Sequence, residues 1–255
     1  GIRHFCLSRG LGDVYKRQRI YCSQKLITSS QILLEKKQSH YIKNVMRLDE
    51  GNFLSLFNEN DGEFNCQIVK ITKDNIEIKI LDKTKNITNN YKLSLAFCPP
   101  KKIKLDVLMQ KATELGIKSF HPLISNRTIN RDLNIQRLKK IIIETIEQSD
   151  QVKIPQIENP VKFNSFIDKI SCDDNSLLFV GDINCSDELV FKDHFDSSKN
   201  LFILIGPEGD FDEEEMKAIN NCKNAIKFSL GKSILRSETA AISAISIFNY
   251  LTRQI

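Results

Sequence analysis

Two glycine-rich turns and the polar cluster behind the second hold the residues best suited to chemistry. The first turn is Leu204-Ile205-Gly206-Pro207-Glu208-Gly209. Some twenty residues later Leu230-Gly231 opens the second, which runs into Ile234-Leu235-Arg236-Ser237-Glu238-Thr239-Ala240. Strand-like apolar runs, Leu201 to Ile205 and Ala225 to Leu230, lead into each turn. Glycine tolerates positive φ and has no side chain, so these turns can bend sharply and bring bare backbone close to a bound molecule. Two such strand ends, with an Arg and a Glu where a helix begins, make a pocket for a small polar ligand. Open α/β sheets bind ligands at that place, beyond the carboxyl ends of their strands. Gly181, after Leu177 to Val180, reads by itself as an ordinary turn residue.

Arg236 stands where a helix starts, and a cation there opposes the helix dipole at a cost of a few tenths of a kcal/mol or more. A surface Arg gains nothing from that position, so a functional role is expected of it. Glu238 in the first helical turn suits the dipole as well as chemistry, and Ser237 and Thr239 can cap the same helix. Glu208 can accept hydrogen bonds from amides or pair with Arg236. Arg236 is the expected catalytic residue, with Glu208 and Glu238 as candidate carboxylates.

Positioning these residues falls to an alternating pattern that begins at Lys92. Leu93 to Cys98 reads as a strand, and Leu105, Leu108, Met109, Ala112 and Leu115 then fall at helical spacing up to Gly116. Ser119 to Ile124 reads as a strand and Asp132 to Ser149 as a long helix. Strands Leu177 to Val180, Leu201 to Ile205 and Ala225 to Leu230 follow, with helices at Asp212 to Asn221 and Ser237 to Arg253. Such alternation implies a mostly parallel sheet covered on both faces. The chain before this is different. Gly51 to Phe57, Phe64 to Ile71 and Asn75 to Leu81 are strand-like, parted by strong turn signals and preceded by a short helix, Ser39 to Met46. These imply a small β-barrel. The polar stretch Asp82 to Tyr91 is the expected boundary.

At 255 residues the chain is one large domain or two ordinary ones, and 41% hydrophobic with 27% charged residues fits a soluble globular protein. The net charge of +5 leans mildly toward an anionic partner. Seven cysteines are scattered without a Cys-x-x-Cys pair, and the four histidines are dispersed. Neither a zinc site nor a disulfide framework is expected; reduced thiols and a cytoplasmic location are. No apolar run approaches the roughly 18 residues that span a bilayer, so no membrane association is expected.

The two turns, with Gln110-Lys111-Ala112-Thr113-Glu114-Leu115-Gly116, Arg127, Glu147-Gln148-Ser149 and Pro155-Gln156-Ile157, resemble in order and spacing the SPOUT (α/β-knot) RNA methyltransferases. More narrowly they resemble the 16S ribosomal RNA (uracil-N3)-methyltransferase family. His40-Tyr41-Ile42-Lys43-Asn44-Val45-Met46-Arg47-Leu48 resembles that family's N-terminal RNA-binding domain, so the likeness covers about residues 19 to 255. It implies an α/β fold with a C-terminal trefoil-knotted, mostly parallel sheet and a small N-terminal PUA-like β-barrel. The expected domains are 19–84 for the barrel and 92–255 for the methyltransferase. Residues 1–18 are expected to be a non-native or artefactual extension, since resembled chains begin near the position of Arg19.

The resemblance implies S-adenosylmethionine as cofactor, held by the turns after Val180, Ile205 and Leu230. The residues it assigns to that site are Val180, Gly181, Ile205, Gly206, Pro207, Glu208, Gly209, Leu230, Gly231, Ile234, Leu235, Arg236, Ser237, Thr239 and Ala240. It implies methylation of uracil N3 in the small ribosomal subunit, without metal, with Arg236 stabilising developing charge and a carboxylate or water taking the proton. Lys43 and Arg47, four apart and so on one face of the short helix, together with Lys111 and Arg127, are the expected RNA contacts; Lys101, Lys102 and Lys104 can add to them. Tyr41 is the aromatic residue considered for base stacking. A homodimer is implied, with the α-helical face Ala240, Ala241, Ala244, Ile245 and Phe248 as a contact that is equally readable as core. Ribose 2′-O-methylation, or RNA binding without catalysis, stay open as alternatives. Three positions depart from the family. Asp210 replaces the last Gly of Gly-Pro-Glu-Gly-Gly, Asp150-Gln151 replaces Gly-Arg, and Lys232-Ser233 precedes Ile234 where Pro or Arg is frequent.

Overall fold

The computed structural model describes residues 18–87, 92–185 and 198–252. The expected extension therefore lies almost entirely outside the described residues, as do parts of the boundary stretch and the last expected residue of the C-terminal helix. The chain divides into two compact units between Ile87 and Thr88.

The first unit contains β1 (Arg19–Tyr21), β2 (Gln31–Leu33), α1 (Lys36–Tyr41), β3 (Phe53–Asn58), β4 (Gly62–Ile71) and β5 (Ile76–Lys85). They form one mixed sheet in the order β1-β3-β4-β5-β2. Alternate residues of the strands, among them Leu54, Leu56, Phe64, Cys66, Ile68, Ile76, Ile78 and Ile80, point into one core that Ile42 closes. The period of two puts every second side chain on that face. On the other face Arg19 lies against the Phe57 ring and pairs with buried Glu63 at 3.0 Å. Strand β5 runs on to Lys85, so the polar stretch expected to be a linker begins as strand. Gly62 must be glycine: φ is +97°, and a Cβ would lie 2.4 Å from the Lys85 carbonyl oxygen.

The second unit contains β6 (Leu93–Phe97), α2 (Lys102–Glu114), β7 (Ser119–Ile124), α3 (Ile135–Gln148), β8 (Gln156–Ile157), β9 (Val161–Lys162), α4 (Phe163–Cys172), β10 (Ser176–Gly181), β11 (Asn200–Ile205), α5 (Glu213–Asn221), β12 (Ala225–Phe228) and α6 (Ser237–Thr252). The sheet order is β12-β10-β11-β6-β7-β8, with β9 also pairing β7, and each pairing is parallel. The chain leaves β6 toward β7 and later returns to set β11 on the other side of β6. That reversal of direction is a topological switch point.

Both faces of this sheet are covered, which is why β6 is buried at every residue and, with β10 and β11, is mostly apolar. One face packs Ala96, Leu123, Leu178, Val180 and Leu204 against α4 and α5 through Phe166, Ile167, Ile170 and Ile219. On α6, Ala241, Ala244, Ile245 and Phe248 are fully buried, with the Phe248 ring 4.7 Å from that of Phe179. Of the two readings of this helical face, core is the one realised within the chain.

Candidate active site

Parallel strands carry their following loops to one edge, so the turns after β6, β7, β10, β11 and β12 share the carboxyl edge of the sheet. Val180 and Ile205 end their strands buried, at 1% and 6% exposure. Gly181 sits in close quarters, since a Cβ there would meet the Ile205 side chain at 3.3 Å. Gly206 is tighter still, because a Cβ would lie 2.9 Å from the Phe211 ring. Gly231 is needed for another reason: φ is +118°, with nothing within 4 Å of a built Cβ. The space beside it is open, so a ligand can come close to the backbone there.

The turn Gly206 to Asp210 is held from two neighbouring strand ends. Lys104, in the first turn of α2, pairs with Glu208. Arg127, in the loop after β7, donates from Nη1 to the Gly209 carbonyl at 2.7 Å. Asn126 in the same loop donates its backbone N–H to Glu215 Oε1 at 2.7 Å and its side-chain amide to Asp212. That amide bond is the foremost cause holding the Asp212 carboxyl below its ordinary range. Asp212 and Glu215 form a capping box, which fixes where α5 begins. Of the two roles open to Glu208 from the sequence, pairing with Arg236 is not the one seen: its partner is Lys104. β11 lies beside β6 in the sheet, so the first turn of α2 meets Glu208 before α6 can.

The residues after β12 are placed differently. Lys227 pairs with Asp182 at 3.1 Å, which ties β12 to the end of β10. From Ser229 to Glu238 the side-chain hydrogen bonds found among the described residues are local. Ser229 Oγ donates to the Gly231 carbonyl at 3.2 Å, and Ser237 Oγ donates to Glu238 Oε2 at 3.4 Å, so Ser237 does not act as a helix cap. Ile234 is 88% exposed, a large apolar side chain left in the open. The Arg236 carbonyl accepts from Ala240 N–H at 2.8 Å, which makes Arg236 the residue at the N-cap position of α6. Its side chain is exposed and has no hydrogen-bond or ion-pair partner among the described residues. Thr239 is exposed, while Pro207, Leu230, Leu235, Glu238 and Ala240 are half-buried.

A family model of RNA methyltransferase domains matches residues 88–249, and one of RNA methyltransferase PUA domains matches residues 34–81. The chain belongs to this RNA methyltransferase family. The ribosomal RNA small subunit methyltransferase E of Rickettsia conorii is 35% identical over 233 residues, which cover 91% of this chain and 94% of that one. Its namesake in Bacillus subtilis is 27% identical over 229 residues, covering 85% and 88%. Among solved structures, a ribosomal RNA small subunit methyltransferase E from Neisseria gonorrhoeae, bound to S-adenosyl methionine, has a TM-score of 0.83 at 26% identity, covering 92% of this chain and 98% of that one. A putative methyltransferase from Legionella pneumophila in complex with the same cofactor has a TM-score of 0.82, also at 26% identity and with the same coverage. The α/β-knot class with an N-terminal PUA-like module, expected from the sequence, stands on these likenesses.

In this RNA methyltransferase the expected RNA contacts fall into three settings. Lys43 lies in a π-helical turn, Ile42–Met46, and Arg47 follows it in the left-handed conformation at φ 55°. The α-helical argument that put both on one face does not hold, because a π turn has a different spacing; both side chains are nonetheless exposed. Lys111 pairs with Glu114 on α2 at 2.8 Å. Arg127 braces the Gly209 turn. Tyr41 is 38% exposed, and Phe53, unremarked in the sequence, is more open at 58%. Among the described residues no cluster of three metal-ligating side chains occurs and no helix is long and apolar enough to cross a membrane.

Proposed function

We propose that this enzyme methylates N3 of a uracil in 16S ribosomal RNA, with S-adenosylmethionine as donor and the small ribosomal subunit as substrate. The observation that carries the reading is the convergence of three adjacent strand ends, β10, β11 and β12, on glycine turns beside an arginine that has no partner among the described residues. The residues present fit the donor: Ile205, Leu230 and Leu235 are apolar groups for an adenine face, and the open space beside Gly231 lets a ligand come close to the backbone. The relatives named for small-subunit methylation and the neighbours crystallised with the donor support the same reading.

When bound, S-adenosylmethionine supplies an electrophilic methyl group on a sulfonium. Uracil N3 must lose its proton before or as it attacks, and the negative charge this leaves spreads onto the two flanking carbonyl oxygens. Arg236, exposed and without a partner among the described residues, can donate to those oxygens where the charge develops. Glu238, two residues on and half-buried, is the carboxylate we assign to take the N3 proton, directly or through water. Glu208 is committed to Lys104, so its part is to shape the turn rather than to accept that proton. Val180 and Gly181 complete the donor's floor.

The proposal extends to a cytoplasmic homodimer, supported by Ile247 and Tyr250 on α6, large side chains that stay 36% and 64% exposed. It also extends to a division of labour between an RNA-binding module at 19–84 and a methyltransferase domain at 92–255. The test is to incubate the protein with methyl-labelled S-adenosylmethionine and unmodified small subunits, digest the RNA and identify the labelled nucleoside by mass. Label in 3-methyluridine is expected. Label in a ribose-methylated nucleoside would reassign the specificity, and no label would leave an RNA-binding protein.

A further inference from the structure

We infer that Lys104 and Arg127 are positioning residues for the donor-binding turn and not phosphate contacts, an inference that rests on the proposed use of S-adenosylmethionine. Both are cations at the carboxyl edge of the sheet, where sequence alone reads them as RNA ligands. Both have their charged groups directed at the same five-residue turn. Lys104 Nζ pairs with Glu208, and each of these side chains is only about a quarter exposed, at 28% and 25%. Arg127 Nη1 reaches the Gly209 carbonyl, and its aliphatic stem runs along the same residue, since a Cβ built on Gly209 would lie 3.5 Å from Arg127 Cδ.

Among the described residues, the backbone hydrogen bond within Gly206 to Asp210 is Asp210 N–H to the Pro207 carbonyl, at 3.0 Å. Two glycines make this segment costly to order, because glycine loses the most backbone freedom on being fixed. The braces come from a stiff base. Ser125 N–H donates to Thr128 Oγ1 at 2.9 Å, Arg131 Nη2 donates to the Asn126 carbonyl at 2.7 Å, and Asn130 Nδ2 donates to the Pro100 carbonyl at 3.2 Å. The last of these joins the loop carrying Arg127 to the one preceding Lys104. A turn ordered before the donor arrives costs less to bind, which is how bracing raises affinity without touching the ligand.

The test uses the full chain. S-adenosylmethionine is titrated calorimetrically into wild type, Lys104→Ala, Arg127→Ala and Arg127→Lys, and unmodified small subunits are bound to each in the absence of donor. The alanine variants are expected to raise the donor Kd about three- to tenfold, the range for exposed charge-assisted contacts. The KM for donor should rise with it while kcat at saturating donor stays within about twofold. Arg127→Lys, which keeps a charged donor, should recover part of the affinity, and melting temperatures should not move. Subunit binding should be unchanged. Unaltered donor affinity with weakened subunit binding would return both residues to the phosphate backbone. Wild type that fails to bind donor would overturn the proposed function and this assignment together, whereas wild type and variants that bind equally well would overturn the assignment alone.

Discussion

Two halves of one sheet edge are built to opposite rules. On the β6, β7 and β11 side the loops are laced together: Lys104 to Glu208, Arg127 to Gly209, Asn126 to Asp212 and Glu215, Asn130 to Pro100. On the β10 and β12 side Lys227 pairs with Asp182, and among the described residues the side-chain hydrogen bonds from Ser229 to Arg236 are local. The difference accords with the proposed site. A protein satisfies its charged groups internally where it needs a scaffold and leaves them free where a ligand is to satisfy them. Arg236 has no partner among the described residues, and the exposed apolar residue near it is Ile234.

Acid should separate the two halves most strongly, because the laced side stands on β7 and β7 carries His121. Burial holds that imidazole down at about 4 against an ordinary 6.5, packed against the Phe166 and Phe202 rings with Nε2 2.8 Å from Ser119 Oγ. The unfolded chain takes up this proton near pH 6.5 while the folded chain resists it. Stability contributed by the neutral ring is therefore complete above pH 6.5 and is lost as pH falls toward 4, by at most about 3 kcal/mol. Denaturant titrations across that range should show the fall, and His121→Gln should flatten it; a parallel slope in the variant would remove His121 as the cause.

The same substitution at two glycines sharpens the contrast. Gly206→Ala drives a Cβ against the Phe211 ring on the laced side, and overpacking of that kind costs about 1–3 kcal/mol of folding stability. Gly231→Ala meets no neighbour, and its expense is the left-handed backbone, about 1 kcal/mol. Chemical denaturation should rank them in that order, while donor affinity should suffer more at Gly231, where the methyl group enters the open space. The reverse ranking in both assays would mean that the open side is not the ligand's.

The smallest effect concerns the two aspartates that stand where the resembled family has glycine. Asp150 and Asp210 both adopt positive φ, at 59° and 62°. Aspartate tolerates that region better than most residues, and Asp210 Oδ1 also accepts from Phe211 N–H at 2.8 Å. The departures thus keep the backbone shape that glycine would supply. Asp210→Gly should stabilise the fold by about 0.5 kcal/mol net of glycine's greater freedom when unfolded. A loss of stability would show that the Asp210 side chain matters more than its strain.

Much of this architecture was legible in the residues. Strand β7 has its expected bounds, and β6, β10, β11, α5 and α6 fall within two residues of theirs, because glycines and Asp212 punctuate clear apolar runs. Strands β1, β2, β8 and β9 are two or three residues long, too short for a period to register. Helix α4 was not anticipated, although Phe163, Phe166, Ile167 and Ile170 carry the spacing of a helical face; it lacks a side-chain cap at Lys162 to announce its start. The location of the glycine turns was readable, but the partners of Glu208 and Arg127 were not. Those contacts join residues 104 and 82 positions apart, and strand order, which decides them, is invisible to local pattern.

The most direct test of the division is the rate of methyl transfer in a single turnover at saturating donor, measured side by side for Arg236→Ala and Arg127→Ala on small subunits. The account predicts a loss of about 10²- to 10³-fold for Arg236→Ala, the usual effect of removing a charge-stabilising donor. For Arg127→Ala it predicts a rate within about twofold of wild type once the donor saturates. Equal losses in the two variants, or a larger loss at Arg127, would contradict it.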